Sequence, residues 1–421
     1  MTHPIAVTYR PDIDGLRAVA VLAVVGYHAS PSLVPGGFIG VDIFFVISGF
    51  LISSIILREI EGGTFSLVAF YGRRIRRLFP ALIAMLIVTF VLGWYSLLPH
   101  EFQTLGKHIT AGAAYFINIT LKKEAGYFDT SGDMKPLLHL WSLAIEEQFY
   151  LIWPLLLLAV AKQRRAFAVI AIVMVASFIS SIVVLGRKDA FYLPNNRMWE
   201  LASGAMLALA VLRLADRQHL SQTLSRFAER FGGARTRDLA SCAGLAIILV
   251  SLFGLDRTLT YPGYWVLLPC AGALLLISAG ESALLNRWLL SHPVLVFIGL
   301  ISYPFYLWHW PLLSYAAITG YGANPVVRFA MVSLAAVLAA LTYLYIERPV
   351  RHRKSNVVPI SLFGITLAFC VAGTLAQKDV FHARLNGPEH RAISAAVNDW
   401  AFPNGLSRTK LPSGLDRKSV V

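Results

Sequence analysis

Apolar residues occur along this chain in long, nearly unbroken runs, and short polar segments separate the runs. A run of about 16 to 25 apolar residues matches the length that an α-helix needs to cross a bilayer. The pattern therefore predicts an all-α, polytopic integral membrane protein with about eleven transmembrane helices. The predicted spans are residues 17–31, 38–57, 79–98, 140–161, 166–185, 198–213, 239–254, 263–279, 294–316, 327–346 and 357–376.

A twelfth candidate, residues 104–119, is short and is interrupted by Lys107 and His108. Lys and Arg concentrate in the cytoplasmic loops of membrane proteins, and each added span reverses the side of every loop that follows. With eleven spans and a cytoplasmic N-terminus, the large basic clusters lie in the cytoplasm and the C-terminus is extracytoplasmic. Residues 99–138 are accordingly interpreted as an external loop with a partly apolar segment that dips into the membrane.

Composition agrees with a membrane protein, because the chain of 421 residues is 57% hydrophobic and only 14% charged. Its net charge of +14 is explained mainly by the basic loops, so nucleic acid is not needed as a partner. The cysteines, Cys242, Cys270 and Cys370, lie in apolar stretches without the spacing of metal ligands. No metal site is predicted.

The first span contains two polar side chains, Arg17 and His28. Eleven residues make almost three helical turns, so both side chains lie on one stripe, roughly 16 Å apart along the axis. Polar groups at membrane depth are costly and usually face the protein interior or a wet cavity. The alternatives are an arginine that snorkels to the interface and a histidine that is bonded to a loop.

Other spans repeat this pattern of polar side chains on one helix face. The economical interpretation is one polar cavity between four spans, suited to general acid–base catalysis or to a proton relay in a transporter. Polar contacts that hold helices together are the alternative. The residues concerned, besides Arg17 and His28, are Asp14, Asp42, His139, Ser142, Glu146, Glu147, Ser302, Tyr306 and His309.

A cluster of arginines precedes the third span. Their guanidinium groups suit phosphate recognition, because the planar fork makes bidentate contacts. Charge that only fixes the orientation in the membrane is the alternative. The phosphate interpretation implies a phosphorylated donor that binds from the cytoplasm. The arginines are Arg73, Arg74, Arg76 and Arg77.

Several motifs together resemble the membrane acyltransferase family 3, which O-acylates bacterial surface sugars such as lipopolysaccharide O-antigen and peptidoglycan. The resemblance covers about residues 9–376. It rests on the motifs YRPDIDGLRAVAVLAVVGYH, GGFIGVDIFFVISGFLI, RRIRRLFPAL, LHLWSLAIEEQFYLIWP, RMWELASGA, ISYPFYLWHWPLL and YIERPVR.

The resemblance implies roles for two groups of residues. The family's arginine and histidine separated by ten residues, both regarded as essential, match Arg17 and His28. The family also has an arginine pair separated by two residues, which is thought to bind the acyl-CoA donor. Two registers of this pair are open, namely Arg73 with Arg76 and Arg74 with Arg77.

The expected function is that of an O-acyltransferase of the bacterial inner membrane. It would move an acetyl or other short acyl group from cytoplasmic acyl-CoA to a hydroxyl of a surface polysaccharide or lipid-linked glycan. His28 is predicted to be the general base, oriented by Asp42 or alternatively by Glu146 or Glu147. Arg17 is predicted to act at the donor end. The alternatives are a proton-coupled transporter or flippase without covalent chemistry and a non-catalytic membrane scaffold.

The predicted organisation has three segments. Residues 1–356 form a ten-span membrane acyltransferase domain, and residues 357–376 form the eleventh helix. Residues 377–421 are rich in Pro, Gly, Asn and Ser and are interpreted as an extracytoplasmic linker. Family members with an eleventh span commonly carry an SGNH-type domain after it, so the linker is expected to lead to such a domain, fused or separate.

Overall fold

Helices make up most of the chain, and each of the eleven predicted spans lies on helix. The computed structural model describes residues 9–125, 131–161, 163, 165–187, 191–218, 233–256, 258–353, 355 and 357–381, with side chains omitted at 214–218. The described residues contain no β-strand, which confirms the predicted all-α class. The helices are α1 (Pro11–Ala29), α2 (Gly40–Glu61), α3 (Leu67–Ser96), α4 (Pro99–Ala113), α5 (Ile117–Glu124), α6 (Leu140–Val160), α7 (Ala166–Val183), α8 (Met198–Gln218), α9 (Ala234–Gly254), α10 (Leu267–Ala279), α11 (Pro293–Leu300), α12 (Ser302–Ile318), α13 (Pro325–His352) and α14 (Val357–Gln377).

Seven of the described helices are long and apolar enough to cross a membrane, namely α2, α3, α6, α7, α9, α13 and α14. Helices α11 and α12 pass the same test as a pair that bends by 64° between them. The chain is thus a multi-pass membrane protein. Helix α1 does not pass because Asp12, Asp14 and Arg17 lie within it, and α10 has only 13 residues. A count of eleven spans and a cytoplasmic N-terminus stay predictions.

Helix α1 lies inside the bundle. It begins with Pro11, whose missing N–H costs nothing in a first turn. Most of its residues between Arg17 and His28 are buried, and α1 packs against α2, α11 and α12. A helix that is apolar on nearly all sides is enclosed by other helices. Its ends therefore place Arg17 and His28 towards opposite ends of the bundle.

Helices α2 and α8 cross at very short distance. A Cβ on Gly49 would lie 1.8 Å from a backbone oxygen of α8, and one on Gly204 would lie 2.1 Å from a backbone oxygen of α2. Glycines permit this approach, and such small-residue contacts hold helices together where lipid removes the hydrophobic driving force. The crossing fixes Asp42, near the start of α2, beside Arg197, which directly precedes α8.

Residues 99–138 differ from the predicted external loop. Helices α4 and α5 form a helical hairpin, and Tyr115 lies in its turn with a φ of +54°. Gln148 of α6 donates a hydrogen bond of 2.8 Å to the carbonyl oxygen of Tyr115, and the ring of Phe79 packs beside it. The segment is helical because a chain that enters the protein interior must satisfy its own backbone polar groups. Its external location stays a prediction.

Helix α14, the predicted span 357–376, packs along α4. Gly106 and Gly373 let the two backbones approach, since a Cβ on either would lie 2.6 Å from the carbonyl oxygen of the other. Thr110 Oγ1 donates to the carbonyl oxygen of Cys370 over 3.1 Å. The last helix thus supports the hairpin. Residues 382–421, most of the predicted linker, lie outside the described residues.

Candidate active site

Two cavities lie inside the bundle, towards opposite ends of α1. The larger, about 450 Å³, is called here the arginine cavity, and its lining includes Asp14, Arg17, Arg74, Arg77, Glu147 and Arg351. The smaller, about 310 Å³, is called the histidine cavity, and its lining includes His28, His139, Arg197, Tyr261, Tyr306 and Trp310. Most of the residues predicted to line one polar cavity are divided between these two adjoining cavities. Val41 and Tyr306 border both cavities and lie between them.

Helix α3 turns one of the two arginine registers into the arginine cavity. Arg74 and Arg77 line it. Arg73 instead forms a salt bridge of 2.8 Å with Glu59 at the surface, and Arg76 donates to a backbone oxygen beyond α13. The rotation of α3 therefore favours the pair Arg74 and Arg77 for any ligand of this cavity. A role in donor binding stays a prediction for all four arginines.

Two of the arginines in this cavity have carboxylate partners. Arg74 Nη2 lies 3.2 Å from Glu147 Oε1, and its guanidinium stacks 4.1 Å above the ring of Tyr150. Arg17 Nη1 lies 3.1 Å from Asp14 Oδ1. The predicted cavity residue Asp14 is thus the salt-bridge partner of Arg17. Their charges are already compensated without a ligand.

Arg77 and Arg351 differ from these two, because neither forms a salt bridge with a described residue. Glu347 interacts electrostatically with both, although its Oε2 atom has no hydrogen-bond partner among the described residues. Two guanidinium groups on the wall of one cavity suit an anion with several oxygen atoms. Sequence reasoning missed Arg351, although it lies in the motif YIERPVR.

The predicted residues Glu146 and Ser302 also line the arginine cavity. Glu146 accepts hydrogen bonds from Ser48, over 2.5 Å, and from the hydroxyl of Tyr150. The hydroxyl of Ser302 is buried and has no partner among the described residues. These groups give the cavity polar contacts besides its arginines.

In the histidine cavity, His28 contacts another histidine. His28 Nδ1 lies 2.9 Å from His309 Nε2, and His309 Nδ1 lies 2.6 Å from the carbonyl oxygen of Tyr306. The two imidazole planes are nearly parallel, with 10° between them. His309 is fully buried, whereas His28 is half-buried on the cavity wall. Helix α12 thus brings a side chain 281 positions away into contact with α1.

The prediction that Asp42 orients His28 is wrong. Asp42 Oδ1 lies 2.5 Å from Arg197 Nη2, and its other oxygen accepts a hydrogen bond from the hydroxyl of Tyr261. The alternatives, Glu146 and Glu147, line the arginine cavity instead. Burial of a carboxylate favours the strongest available cation, and Arg197 supplies it.

Asp42 belongs to a buried charge cluster behind the histidine cavity. Arg197 Nη1 also lies 3.2 Å from Glu200 Oε1, and Asp42, Arg197 and Glu200 are almost completely buried. The cluster joins α2, the start of α8 and the segment that carries Tyr261. Sequence reasoning missed Arg197 and Glu200, although their spacing of three within RMWELASGA places them on one helix face.

Tyr306 is the polar contact point between the cavities. Its hydroxyl donates to the carbonyl oxygen of His139 over 2.9 Å and lies 2.8 Å from Ser142 Oγ. His139 is buried, and neither of its ring nitrogens has a hydrogen-bond partner among the described residues. The ring of His139 lies 5.7 Å from that of His309. The predicted residues His139, Ser142 and Tyr306 therefore meet at the boundary between the two cavities.

The described residues contain no group of three or more His, Cys, Asp or Glu side chains that is arranged to hold a metal ion. The chemistry that the site offers comes from imidazole, hydroxyl, carboxylate and guanidinium groups. Arginines suit an anionic ligand, and imidazole suits proton transfer near neutral pH.

Comparison with known proteins identifies the family to which the chain belongs. A family model described as an acyltransferase domain, Acyl_transf_3, matches residues 10–346. The chain belongs to this acyltransferase family. The match begins in the segment before α1 and ends within α13, so it includes the named lining residues of both cavities except Arg351. No solved structure matches the chain.

Two bacterial relatives are similar over most of the acyltransferase chain. Peptidoglycan O-acetyltransferase OatA of Listeria monocytogenes is 33% identical over 362 residues, which cover 82% of this chain and 56% of that protein. The Bacillus subtilis protein named "Putative peptidoglycan O-acetyltransferase YrhL" is 35% identical over 364 residues, which cover 82% of this chain and 55% of that protein. The chain thus spans little more than half the length of the curated relatives it matches.

Proposed function

We propose that this chain forms the membrane part of an O-acetyltransferase. An acyl-CoA donor, acetyl-CoA in the first instance, binds in the arginine cavity, and the hydroxyl of a glycan acceptor enters the histidine cavity. One observation carries the proposal. Cavities at opposite ends of α1 share a wall at Tyr306, and one is lined by arginines while the other is lined by the histidine of the family motif.

The arginine cavity has the charge that an acyl-CoA donor requires. Coenzyme A carries a diphosphate and a further phosphate, which suit guanidinium groups that form no salt bridge with a described residue. Arg77 and Arg351 are two such groups on one cavity wall. The thioester end then extends along α1 from the level of Arg17 towards Tyr306. An extended pantetheine arm has about the reach that this path requires.

His28 acts as the general base of the proposed reaction. Its imidazole removes the proton from the acceptor hydroxyl while the hydroxyl oxygen attacks the carbonyl carbon of the thioester. The C–S bond then breaks, and the same proton passes from His28 to the departing thiolate. The products are an acetyl ester and coenzyme A with a free thiol, and His28 returns to its starting state. Tyr306 must shift for the thioester and the hydroxyl to meet.

The acceptor and the membrane orientation are further parts of the proposal. Relatives named as peptidoglycan O-acetyltransferases favour a peptidoglycan glycan as acceptor, and lipopolysaccharide O-antigen is the acceptor class to compare with it. The arginine end lies in the cytoplasm of a bacterial inner membrane, because basic residues collect on that side. The acetyl group therefore crosses the membrane within the protein.

The test uses the full chain in liposomes with radiolabelled acetyl-CoA and a soluble peptidoglycan glycan fragment. We expect label on the glycan together with stoichiometric release of coenzyme A. The variant His28→Ala abolishes both, whereas His292→Ala, at an exposed histidine, leaves both unchanged.

The outcomes separate the function classes. Release of coenzyme A without labelled glycan supports the donor half of the proposal and rejects this acceptor. No turnover of acetyl-CoA, together with movement of protons across the liposome membrane, contradicts the proposal and favours a transporter.

A further inference from the structure

We infer that His309 is a positioning residue that fixes which ring nitrogen of His28 carries the proton. On this inference the base of the site is a hydrogen-bonded pair of histidines, His28 and His309. The inference rests on the proposed function only for its effect on turnover. The tautomer itself is a property of the resting protein and can be measured separately.

The first step concerns His309. Its Nδ1 lies 2.6 Å from the carbonyl oxygen of Tyr306. A carbonyl oxygen can only accept a hydrogen bond, so Nδ1 of His309 must carry a proton. This contact is local, because Tyr306 and His309 are three residues apart on α12. The orientation of the His309 ring is thus set by its own helix.

The second step concerns the contact between the histidines. A hydrogen bond of 2.9 Å between His28 Nδ1 and His309 Nε2 contains one proton. If that proton belonged to His309, this ring would carry two protons and a positive charge. His309 is fully buried, and no salt bridge to a carboxylate is found for it among the described residues. Burying a charge without a partner is costly, so His309 is neutral and His28 donates.

The third step follows for His28. With its proton on Nδ1, the neutral ring has its lone pair on Nε2. The nitrogen that is protonated in a histidine is set by the hydrogen bond that the other nitrogen makes. Nε2 is therefore the atom that takes the hydroxyl proton. When it does so, Nδ1–H stays bonded to His309 Nε2 and the positive charge is shared with a polar partner.

The surroundings of the pair agree with a neutral acceptor. The ring of Trp310 lies 4.6 Å from that of His28, and the ring of His139 lies 5.7 Å from that of His309. The carboxylate of Asp42 is compensated by Arg197, and that of Asp256, on the lining of the histidine cavity, accepts hydrogen bonds from Thr258. A neutral acceptor stabilises the protonated base less than a carboxylate does. It therefore allows His28 to return the proton to the leaving thiolate more readily.

The first test measures the tautomer directly. The protein is labelled with ¹³C,¹⁵N-histidine in liposomes, and the His28 signals are identified by subtracting the spectrum of His28→Gln. We expect the ring nitrogens of His28 to report protonation at Nδ1, although Nε2–H is the commoner form of the neutral histidine side chain in water. A His28 ring that is protonated at Nε2 overturns the inference, and this readout needs no substrate.

The second test compares three variants of His309. In His309→Gln the amide can reach the position of Nε2 and accept from His28. In His309→Asn the shorter amide can keep the bond to the Tyr306 carbonyl oxygen but cannot reach His28. In His309→Leu neither bond is possible. We expect Asn and Leu to lower kcat by about 10-fold to 1,000-fold and Gln to restore a large part of it, with KM for acetyl-CoA within about 2-fold throughout.

The outcomes distinguish this inference from the proposed function. If His28→Ala abolishes turnover while His309→Asn and His309→Gln lower it equally, His309 has only a packing role and the inference fails alone. If the unmodified protein turns over no acetyl-CoA, the proposed function fails, and the tautomer measurement still decides the inference. Unfolding of a variant is recognised by a lower Tm, in which case the spectrum of the unmodified protein decides.

Discussion

The two cavities use different physics. In the arginine cavity, charged groups are already paired within the protein, as Arg74 is with Glu147, or stand ready for an anion, as Arg77 does. In the histidine cavity, imidazole rings form a chain of hydrogen bonds that ends on a backbone oxygen. Ion pairs can be exchanged for a ligand, whereas a hydrogen-bonded chain fixes geometry. The first arrangement suits binding, and the second suits proton transfer.

The largest expected effect concerns His28 in the histidine cavity. Replacing His28 by alanine removes the base, and general base catalysis contributes about 100-fold to 10,000-fold to rate. We expect kcat to fall by that factor while the Kd for acetyl-CoA stays within about 2-fold, since His28 does not line the arginine cavity. Turnover and calorimetric binding measure the two quantities. Equal losses in kcat and in the affinity for acetyl-CoA would contradict separate roles for the two cavities.

The next effect concerns the charge cluster behind the histidine cavity. Arg197→Met leaves the buried carboxylates of Asp42 and Glu200 without their cation. Breaking a buried pair in this way costs about 3–5 kcal/mol, so Tm should fall strongly in a thermal unfolding scan. Arg287→Met, at an exposed arginine, is the matched control. A small change in Tm would mean that the cluster does not hold the wall of this cavity.

A third effect tests the arginine cavity by comparing two positions of one helix. Arg77→Ala removes a cation that forms no salt bridge with a described residue, and we expect KM for acetyl-CoA to rise by about 10-fold to 50-fold with little change in kcat. The difference in KM between Arg77→Ala and the unmodified protein should shrink at high salt. Arg73→Ala is the control, because Arg73 pairs with Glu59 at the surface. A larger effect at Arg73 than at Arg77 would reverse the assignment of the register.

A smaller effect concerns the boundary. Tyr306→Phe keeps the ring but removes the hydroxyl that bonds to His139 and Ser142. Loss of one such bond costs about 1–1.5 kcal/mol, so we expect a lower Tm and a kcat that is about 5-fold to 10-fold lower. A normal kcat at full stability would show that the hydroxyl does not position the boundary.

The smallest effect lies outside both cavities. Half-burial acts to raise the pKa of Glu124, but the hydrogen bonds and charge of His108 and the hydrogen bonds from Lys107 and Lys135 outweigh it and hold that pKa well below its ordinary value. A carboxyl group whose pKa is lower in the folded state stabilises the fold at pH values above its unfolded pKa of about 4.3. This stabilisation is lost as the pH falls towards the folded pKa. Glu124→Gln should therefore lower stability by about 1 kcal/mol at pH 7. The difference in Tm from the unmodified protein should narrow below about pH 4.

The sequence was sufficient to predict features that depend on neighbouring residues. Apolar runs locate the helices because burial in lipid requires them. Helical spacing places Arg17 and His28 on one stripe. The same reasoning finds Ser142, Tyr306 and His309, since polar groups within a span face other protein.

Features that depend on distant residues could not be predicted in this way. The contact between His28 and His309 joins positions 281 residues apart, and no spacing rule reaches that far. The choice between the two arginine registers depends on the rotation of α3 in the bundle. The mistaken role for Asp42 has the same cause, because its partner Arg197 comes from another helix.

Tyr306 has a consequence for the order in which two substrates act. Tyr306 borders both cavities together with Val41, so on the proposed function a donor that displaces Tyr306 would alter the free energy of acceptor binding. Thermodynamic linkage makes this coupling reciprocal. Whatever factor acetyl-CoA imposes on the dissociation constant of the glycan, the glycan imposes on that of acetyl-CoA. On the proposed function, the binding of each substrate would therefore depend on the concentration of the other through one phenol ring.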